Sequence, residues 1–470
     1  MRKRQRERSN RKISTLAHIE GIAPLGWAVS GKGRDRVQIW GGLLGDHLRV
    51  GHFRHVRGGV EAAVEEVLSR AVETVEPLCK HFEVCGGCLW QHVPYNHQLL
   101  MKQEIVKTCF ANARLDTGSI APVLGSDDPF FYRNKSDFTF GFGEEPALGF
   151  FESEIKISGG KKRPERGRIP PVFSVNACAL QTDSADGVLA KVRAAVGLAG
   201  LSFYHPGSRR GLLRSLVIRQ SAVSEDMLVH FVAAKACADV LVPIAEDLIR
   251  EEPHIKGVVL SINNKRSKNA VPESQMVLAG QAWIVEQFLG VNIRVSPTSF
   301  LQVNTAQAEK LYEVALGFAG LCVTDRVIDL YCGTGSLSLL LAQRAGDVVG
   351  IEVVEAAVED ANANAQSNEI ENCEFLWGDV ANILPQYIAG NNHLDVITVN
   401  PPRAGVEKTV IAAMCAAKPN RIVYISCNAE TLARDLVLLN RGGYRVKAVQ
   451  PVDMFPQTPH VEVVVLLEKK

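Results

Sequence analysis

The chain has 470 residues, more than one hydrophobic core usually supports, so two or three domains are expected. With 46% apolar and 22% charged residues, its composition is that of an ordinary globular protein and excludes a disordered or fibrous class. The net charge of +1 conceals an asymmetry: residues 1 to 12, MRKRQRERSNRK, hold seven of the 52 Lys and Arg but one of the 51 acids, so the body is slightly acidic.

No apolar run approaches the roughly 18 residues of a membrane span. The polar start lacks the apolar segment of a secretory signal, so a cytoplasmic location without membrane partners is expected. Eleven cysteines, an odd number, argue against a secreted disulfide framework and for thiols, metal ligands or catalysis. Residues 1 to 12 form a basic arm, either a solvated tail or a grip on RNA.

Residues 13 to 75 carry short strand-like runs between glycines, among them VQIW at 37 to 40 and HLRV at 47 to 50, and predict a small β-barrel. Next, CKHFEVCGGC separates Cys79, Cys85 and Cys88 by five and then two residues, with glycines that let the backbone wrap a ligand. Cys178, in VFSVNACAL, is a distant fourth thiol. Four thiolates suit an iron-sulfur cluster or structural zinc, and spacing alone leaves both open. A radical enzyme would need three cysteines spaced by three and two, which is not this pattern. The stretch 95 to 115 predicts an amphipathic helix with Leu99, Leu100, Ile105, Val106 and Phe110 on or near one face.

Residues 76 to 91 and 126 to 297 make a central, mainly antiparallel domain through runs such as FTFGF, LVIRQ, MLVHFVAA and GVVLSIN, with a basic loop KKRPERGR at 161 to 168. Within YRNKSDFTFGFG, Arg133 and Lys135 offer RNA phosphates a contact beside aromatics able to stack on unpaired bases. The competing reading is an amphipathic strand with solvated charges. Arg209, Arg210, Arg214 and Arg219 form a second candidate patch. Residues 92 to 125 and 298 to 470 make the remaining domain, in which VIDLY, VVGIE, CEFLW, VITVN and RIVYIS alternate with helical stretches and predict a parallel sheet flanked by helices.

VIDLYCGTGSLSLLL, at 327 to 341, reads as a buried strand, a turn on Gly333 and Gly335, and a helix start. Nineteen positions after Gly333, Glu352 ends the next strand, where a carboxylate can accept from both ribose hydroxyls of a nucleoside. The glycines read G-x-G rather than G-x-G-x-x-G, which favours a nucleoside without a pyrophosphate. Asp379 ends the third strand, to read an adenine amino group or to cap the next helix. In VITVNPPRAG two prolines fix a loop at the carboxyl edge of the sheet, where ligands bind. Cys427 ends the following strand at a helix start, a position that tends to favour the thiolate.

SFLQVNT at 299 to 305, DLYCGTGS at 329 to 336, NPPRAG at 400 to 405, SCNAETLARDL at 426 to 436 and FPQTPHVE at 455 to 462 together resemble the RNA uracil-5-methyltransferase family, over almost the whole chain. The resemblance implies an α/β fold: a Rossmann-like S-adenosylmethionine-dependent methyltransferase domain with an N-terminal β-barrel and a mainly antiparallel central domain. It implies that Cys427 is the nucleophile and Glu462 the base. Gln302, Tyr331, Ser336, Glu352 and Asn400 match the S-adenosylmethionine-binding positions. Asn400 stands where the family usually has aspartate, Ser336 where asparagine or threonine is frequent, and Gln457 where histidine is common. An amide at 400 still donates and accepts hydrogen bonds but carries no charge.

Such residues are needed because carbon 5 of uracil is a weak nucleophile. Thiolate attack at carbon 6 makes it electron-rich, and a carboxylate must later remove its proton. The resemblance further implies a [4Fe-4S] cluster on Cys79, Cys85, Cys88 and Cys178 and a TRAM-type barrel over 13 to 75. Both typify the branch that acts on 23S ribosomal RNA, whereas the transfer-RNA branch lacks them. Two rival readings are the same reaction on transfer RNA and a non-catalytic RNA-binding or assembly protein. A cytosine-5 DNA methyltransferase is argued against, because its proline-cysteine nucleophile pair is absent, so DNA is not an expected partner.

Overall fold

The computed structural model describes residues 14–31, 35–56, 59–116, 118–142, 146–153, 155–158, 161–164, 170–265, 272–390 and 393–470. The basic arm and half of the basic loop at 161 to 168 lie outside them. Among the described residues, no helix is long and apolar enough to cross a membrane.

Six strands form the N-terminal sheet, in the spatial order Ser14–His18, His47–Val56, Gly59–Ser69, Val37–Trp40, Ala28–Ser30, Gly21–Ile22. The strands at its two edges are consecutive in the chain, with only Ile19 and Glu20 between them, so the sheet must curl until its edges approach. Ile39, Leu48 and Val50 fill its interior. Its core continues into helix Tyr95–Asn112 through Met101, Ile105 and Phe110. The buried stripe of that helix runs through Gln98, Met101, Lys102, Ile105, Val106 and Cys109, a period of three and four. Leu100 falls off this stripe and is 54% exposed, whereas Lys102 lies on it and is fully buried.

The central sheet orders its strands as Val172–Ser174, Pro146–Phe151, Lys135–Phe142, Leu213–Gln220, Met227–Ala233, Ile255–Ile262 and Ser274–Gly280. All neighbours are antiparallel except Met227–Ala233 with Ile255–Ile262, which are parallel because helix Ala238–Glu251 crosses between them. Leu213–Gln220 is buried along its whole length. That corrects the second basic patch. Arg214 donates to the carbonyls of Asn263 and Lys265 and Arg219 to that of Ser299, leaving only Arg209 and Arg210 exposed. Both faces of this strand are covered, so neither arginine reaches solvent.

Ile284–Phe288 and Val291–Val295 form a hairpin within the span read as central domain, yet Ile284, Phe288 and Ile293 pack into the last domain's core with Leu311 and Tyr312.

The last sheet runs Cys373–Trp377, Asp347–Glu352, Arg326–Leu330, Val396–Val399, Arg421–Ser426, Glu462–Lys469, Tyr444–Val452. Its first five strands are parallel, and Glu462–Lys469 enters antiparallel between the final two neighbours. From the central strand Arg326–Leu330 the chain first builds outward to one side and then crosses to the other. The crevice at that reversal opens beyond Leu330 and Val399, where open α/β sheets bind ligands.

Candidate active site

At the crevice the chain turns sharply, with Tyr331 at φ +62°, Gly333 at +56° and Gly335 at +79°. A left-handed tyrosine is costly and persists only where surrounding structure imposes it. A Cβ at Gly335 would meet Phe375 Cζ at 2.7 Å, so no side chain fits there. The Gly333 amide donates to Glu352 Oε2 at 3.1 Å, and those of Val353 and Val354 donate to Oε1 at 2.8 and 2.9 Å. Three of the roughly four acceptor positions of this carboxylate are thus filled, which leaves room for one further donor rather than both ribose hydroxyls.

Ser336 Oγ lies 3.0 Å from the Tyr312 hydroxyl. Asp379 caps the following helix by accepting the Ala381 amide at 2.9 Å, and its side chain remains exposed. Beside Glu352, Val353 and Trp377 are 57% and 58% exposed, with the indole N–H held by the Val353 carbonyl. This apolar ledge, with no place in the sequence reading, suits a stacked heterocycle. Asn400 is half-buried, and its backbone N–H donates to the Leu330 carbonyl at 3.2 Å. Gln302 is buried, its backbone carbonyl accepting from the Asn134 side chain of the central domain at 2.9 Å.

Cys427 follows strand Arg421–Ser426, and Asn428 caps the next helix by accepting the Glu430 amide. Across from it, Glu462 starts the inserted strand and is 3% exposed. Burial pushes the Glu462 carboxyl up to about 7, against a lowering by Arg403. The Cys427 thiol is also raised, first by burial and then by the charge of Glu462, while Arg403 opposes this through its charge and a hydrogen bond. The thiolate expected from the helix start alone is therefore corrected. Burial and the charge of Glu462 raise the thiol, and Arg403 supplies the compensation. Sequence reading missed Arg403 although it lies within NPPRAG. Its guanidinium also lies 3.3 Å from His460 Nδ1. His460 stays neutral, pushed down to about 4 by burial and then by Arg403.

The loop before Glu462 is anchored from several sides. Lys102 Nζ donates to Asp453 and, at 2.9 Å, to the Phe455 carbonyl. The Tyr132 hydroxyl donates to the Pro456 carbonyl at 3.1 Å. Gln457, at φ +69°, exchanges side-chain and backbone hydrogen bonds with Gln98, and its carbonyl accepts the amides of Leu89 and Trp90.

The family model for tRNA (uracil-5-)-methyltransferase matches residues 223–470. An uncharacterized RNA methyltransferase of Oceanobacillus iheyensis is 38% identical over 86% of this chain and 85% of its own length. Another, of Bacteroides thetaiotaomicron, is 39% identical over 83% and 87%. This chain belongs to the RNA uracil-5-methyltransferase family. As a family member it is an S-adenosylmethionine-dependent RNA methyltransferase. Its fold is that of a Pyrococcus abyssi tRNA (uracil-54, C5)-methyltransferase solved with S-adenosyl-L-homocysteine, at a TM-score of 0.71 and 24% identity, covering 96% of this chain and 100% of that one.

This methyltransferase also carries a cavity of about 930 Å³ lined by Cys79, Cys85, Cys88 and Cys178. None of the four is in a disulfide. Burial raises Cys85 to about 11 and Cys88 to about 12, and neighbouring thiols add to both shifts. Among the described residues, no three His, Cys, Asp or Glu side chains are grouped to hold a single metal ion. The chamber is also far wider than one ion. Arg133, read from sequence as an RNA contact, lines this chamber. Lys135 opens the strand Lys135–Phe142, half-buried and opposite Arg219.

Proposed function

We propose that this enzyme methylates carbon 5 of a uridine in 23S ribosomal RNA through a covalent adduct between Cys427 and carbon 6 of the base. The observation that carries the reading is the pairing of a buried Glu462, raised to about 7, with Cys427 at one edge of the cofactor crevice. Arg403 stabilises the Cys427 thiolate as it forms, and the sulfur adds to carbon 6 to give an enolate. S-adenosylmethionine held in the crevice would supply an electrophilic methyl group to carbon 5, with S-adenosylhomocysteine as the leaving group. The Glu462 carboxylate then removes the carbon 5 proton, the carbon 5–carbon 6 double bond re-forms, and the thiolate leaves.

For the cofactor we assign Gln302, Tyr331, Gly333, Gly335, Ser336, Glu352, Asp379 and Asn400. The crevice position, the three left-handed residues and the single open acceptor position at Glu352 support this set. We assign the N-terminal curled sheet as a TRAM-type RNA-binding module and Lys135 as an RNA contact. We assign the four-thiol chamber to a [4Fe-4S] cluster, because four thiols line one cavity and such a donor set suits that group. Anaerobically purified enzyme should be brown and hold inorganic sulfide. Colourless protein holding one zinc would refute the cluster.

Transfer RNA is the second reading. It is favoured by the description of the matching family model and by the Pyrococcus abyssi tRNA enzyme, whose fold spans nearly all of this chain, N-terminal sheet included. That sheet therefore does not separate the two substrates. Isolated 23S fragments and transfer RNA, each assayed for methyl incorporation and mapped to the modified uridine, decide between them. Methylation of transfer RNA alone overturns the ribosomal assignment.

A further inference from the structure

Gln302 sits in a stretch that is held from two directions. From the methyltransferase domain, Ser296 donates to Asp360 Oδ1 at 2.8 Å, and Ser299 donates to the second oxygen of the same carboxylate. One turn further along that helix, Glu355–Ser367, Asn364 accepts the Arg294 amide at 2.7 Å and donates to the Thr334 carbonyl, inside the cofactor turn, at 3.0 Å. These polar contacts reach Ser299, three residues before Gln302. At Gln302 itself the partner comes from the central domain.

That partner is Asn134, a buried residue. Both hydrogens of its side-chain amide are used: one goes to the Gln302 backbone carbonyl at 2.9 Å, the other to the Thr305 hydroxyl at 3.0 Å. Its backbone N–H donates to the Val303 carbonyl at 2.9 Å, and its own carbonyl accepts the Gln220 amide at 2.8 Å, which ties the stretch to the strand Leu213–Gln220. The Thr305 hydroxyl passes its hydrogen to Glu286 Oε2 at 3.0 Å, and that buried carboxylate also accepts the Ala222 amide at 3.0 Å. Donors and acceptors thus run one way, from Asn134 through Thr305 to a carboxylate, and a side chain with two N–H groups can head this chain while also holding Gln302. Thr305 opens the helix Thr305–Ala319, whose Tyr312 lies beside Ser336 of the cofactor turn.

We infer that Asn134 is a positioning residue for the cofactor: its side-chain amide fixes the backbone at Gln302, and the central domain thereby sets the affinity of the crevice for S-adenosylmethionine from outside it. The inference rests on the assignment of Gln302 to the cofactor made above. In Asn134→Ala the backbone rung at Val303 remains, so the stretch stays attached while the Gln302 peptide loses the donor that orients it.

Calorimetric titration of the full chain with S-adenosylhomocysteine tests this in a double-mutant cycle of Asn134→Ala and Gln302→Ala, with urea unfolding of each variant as the control for stability. Asn134→Ala should weaken binding roughly 3–10-fold, the scale of one buried hydrogen bond, and should have no further effect once Gln302 is alanine. Asn134→Ser, which keeps one donor, should fall between Asn134→Ala and wild type. Unchanged affinity in folded Asn134→Ala overturns the inference. So does an equal loss in both backgrounds, because Asn134 would then act on the crevice at large rather than through Gln302. If Asn134→Ala does not fold, Asn134→Ser carries the same cycle, and failure of both to fold makes Asn134 a folding residue and ends the assignment. Gln302→Ala that binds like wild type refutes the cofactor role of Gln302 itself, a result distinct from the others.

Discussion

Lys102 and Asp453 form an ion pair in which neither side chain retains any exposed surface, and it joins the helix Tyr95–Asn112 to the loop leading to Glu462. The Tyr95 hydroxyl donates to the second oxygen of Asp453 at 2.9 Å. Replacing Lys102 by Met leaves a buried carboxylate without its cation, a loss worth about 3–5 kcal/mol. Urea unfolding of Lys102→Met should show it. A loss under about 1 kcal/mol would mean that Asp453 is satisfied without the lysine.

Cys427→Ala should abolish methylation while leaving cofactor affinity near wild type, because the proposed cofactor contacts do not include the thiol. Calorimetric titration with S-adenosylhomocysteine, run beside a methyl-incorporation assay, separates binding from chemistry. Substantial residual turnover would rule out Cys427 as nucleophile.

Glu462→Gln removes the proposed base but keeps its shape, and an amide cannot accept the carbon 5 proton. With target RNA and S-adenosylmethionine, this variant should accumulate a denaturation-resistant protein–RNA adduct that contains the methyl group. Turnover at the wild-type rate would exclude Glu462 as the base. No adduct, despite normal binding of both substrates, would move its role to an earlier step.

The pH profile should rise through neutrality. The carboxyl of Glu462, raised to about 7, must be ionised to take a proton, and the raised Cys427 thiol must be ionised to attack, so both favour higher pH. In single-turnover experiments, resolution of the methylated adduct should show an inflection near pH 7 that Glu462→Gln lacks. For stability the sign is opposite: a carboxyl raised on folding binds its proton more tightly in the native state, so its contribution is present at acid pH and is lost as pH rises from about 4.5 to about 7.

Gly335→Ala should lose S-adenosylmethionine. An alanine there must adopt φ +79° with its Cβ 2.7 Å from Phe375, and about 1–3 kcal/mol of strain and overpacking falls on the cofactor turn. Equilibrium dialysis with labelled cofactor reads the loss. Unchanged affinity would show that the turn can relax.

Much of the architecture is legible from local pattern. VIDLY, VVGIE and VITVN are apolar runs too continuous for a half-exposed strand, and they form the buried parallel centre of the last sheet. Cys427 and Glu462 are far apart in sequence, and only their motifs, not any periodicity, connect them. What escaped was decided by tertiary cover. Arg214 and Arg219 in LRSLVIRQ read as solvated charges, but the structure buries this strand along its whole length. A lysine is almost never fully buried, so nothing in the helix pattern marks Lys102, whose partner arrives some 350 positions later. Arg403 reads as a solvated loop charge until Cys427 and His460 are seen beside it.

The helix that supplies Tyr95, Gln98 and Lys102 lies far upstream of the domain it completes, and Asp453 and Gln457 depend on it for their partners. The catalytic unit is thus discontinuous in the gene. A fragment beginning at residue 298 would inherit the nucleophile, the base and the cofactor turn, yet expose an apolar helix-binding face and strand a buried carboxylate without its cation. Any recombination that transplants this chemistry must bring residues 92 to 125 along with it, so domain shuffling at the apparent boundary near 298 is blocked by the same contacts that hold the base in place.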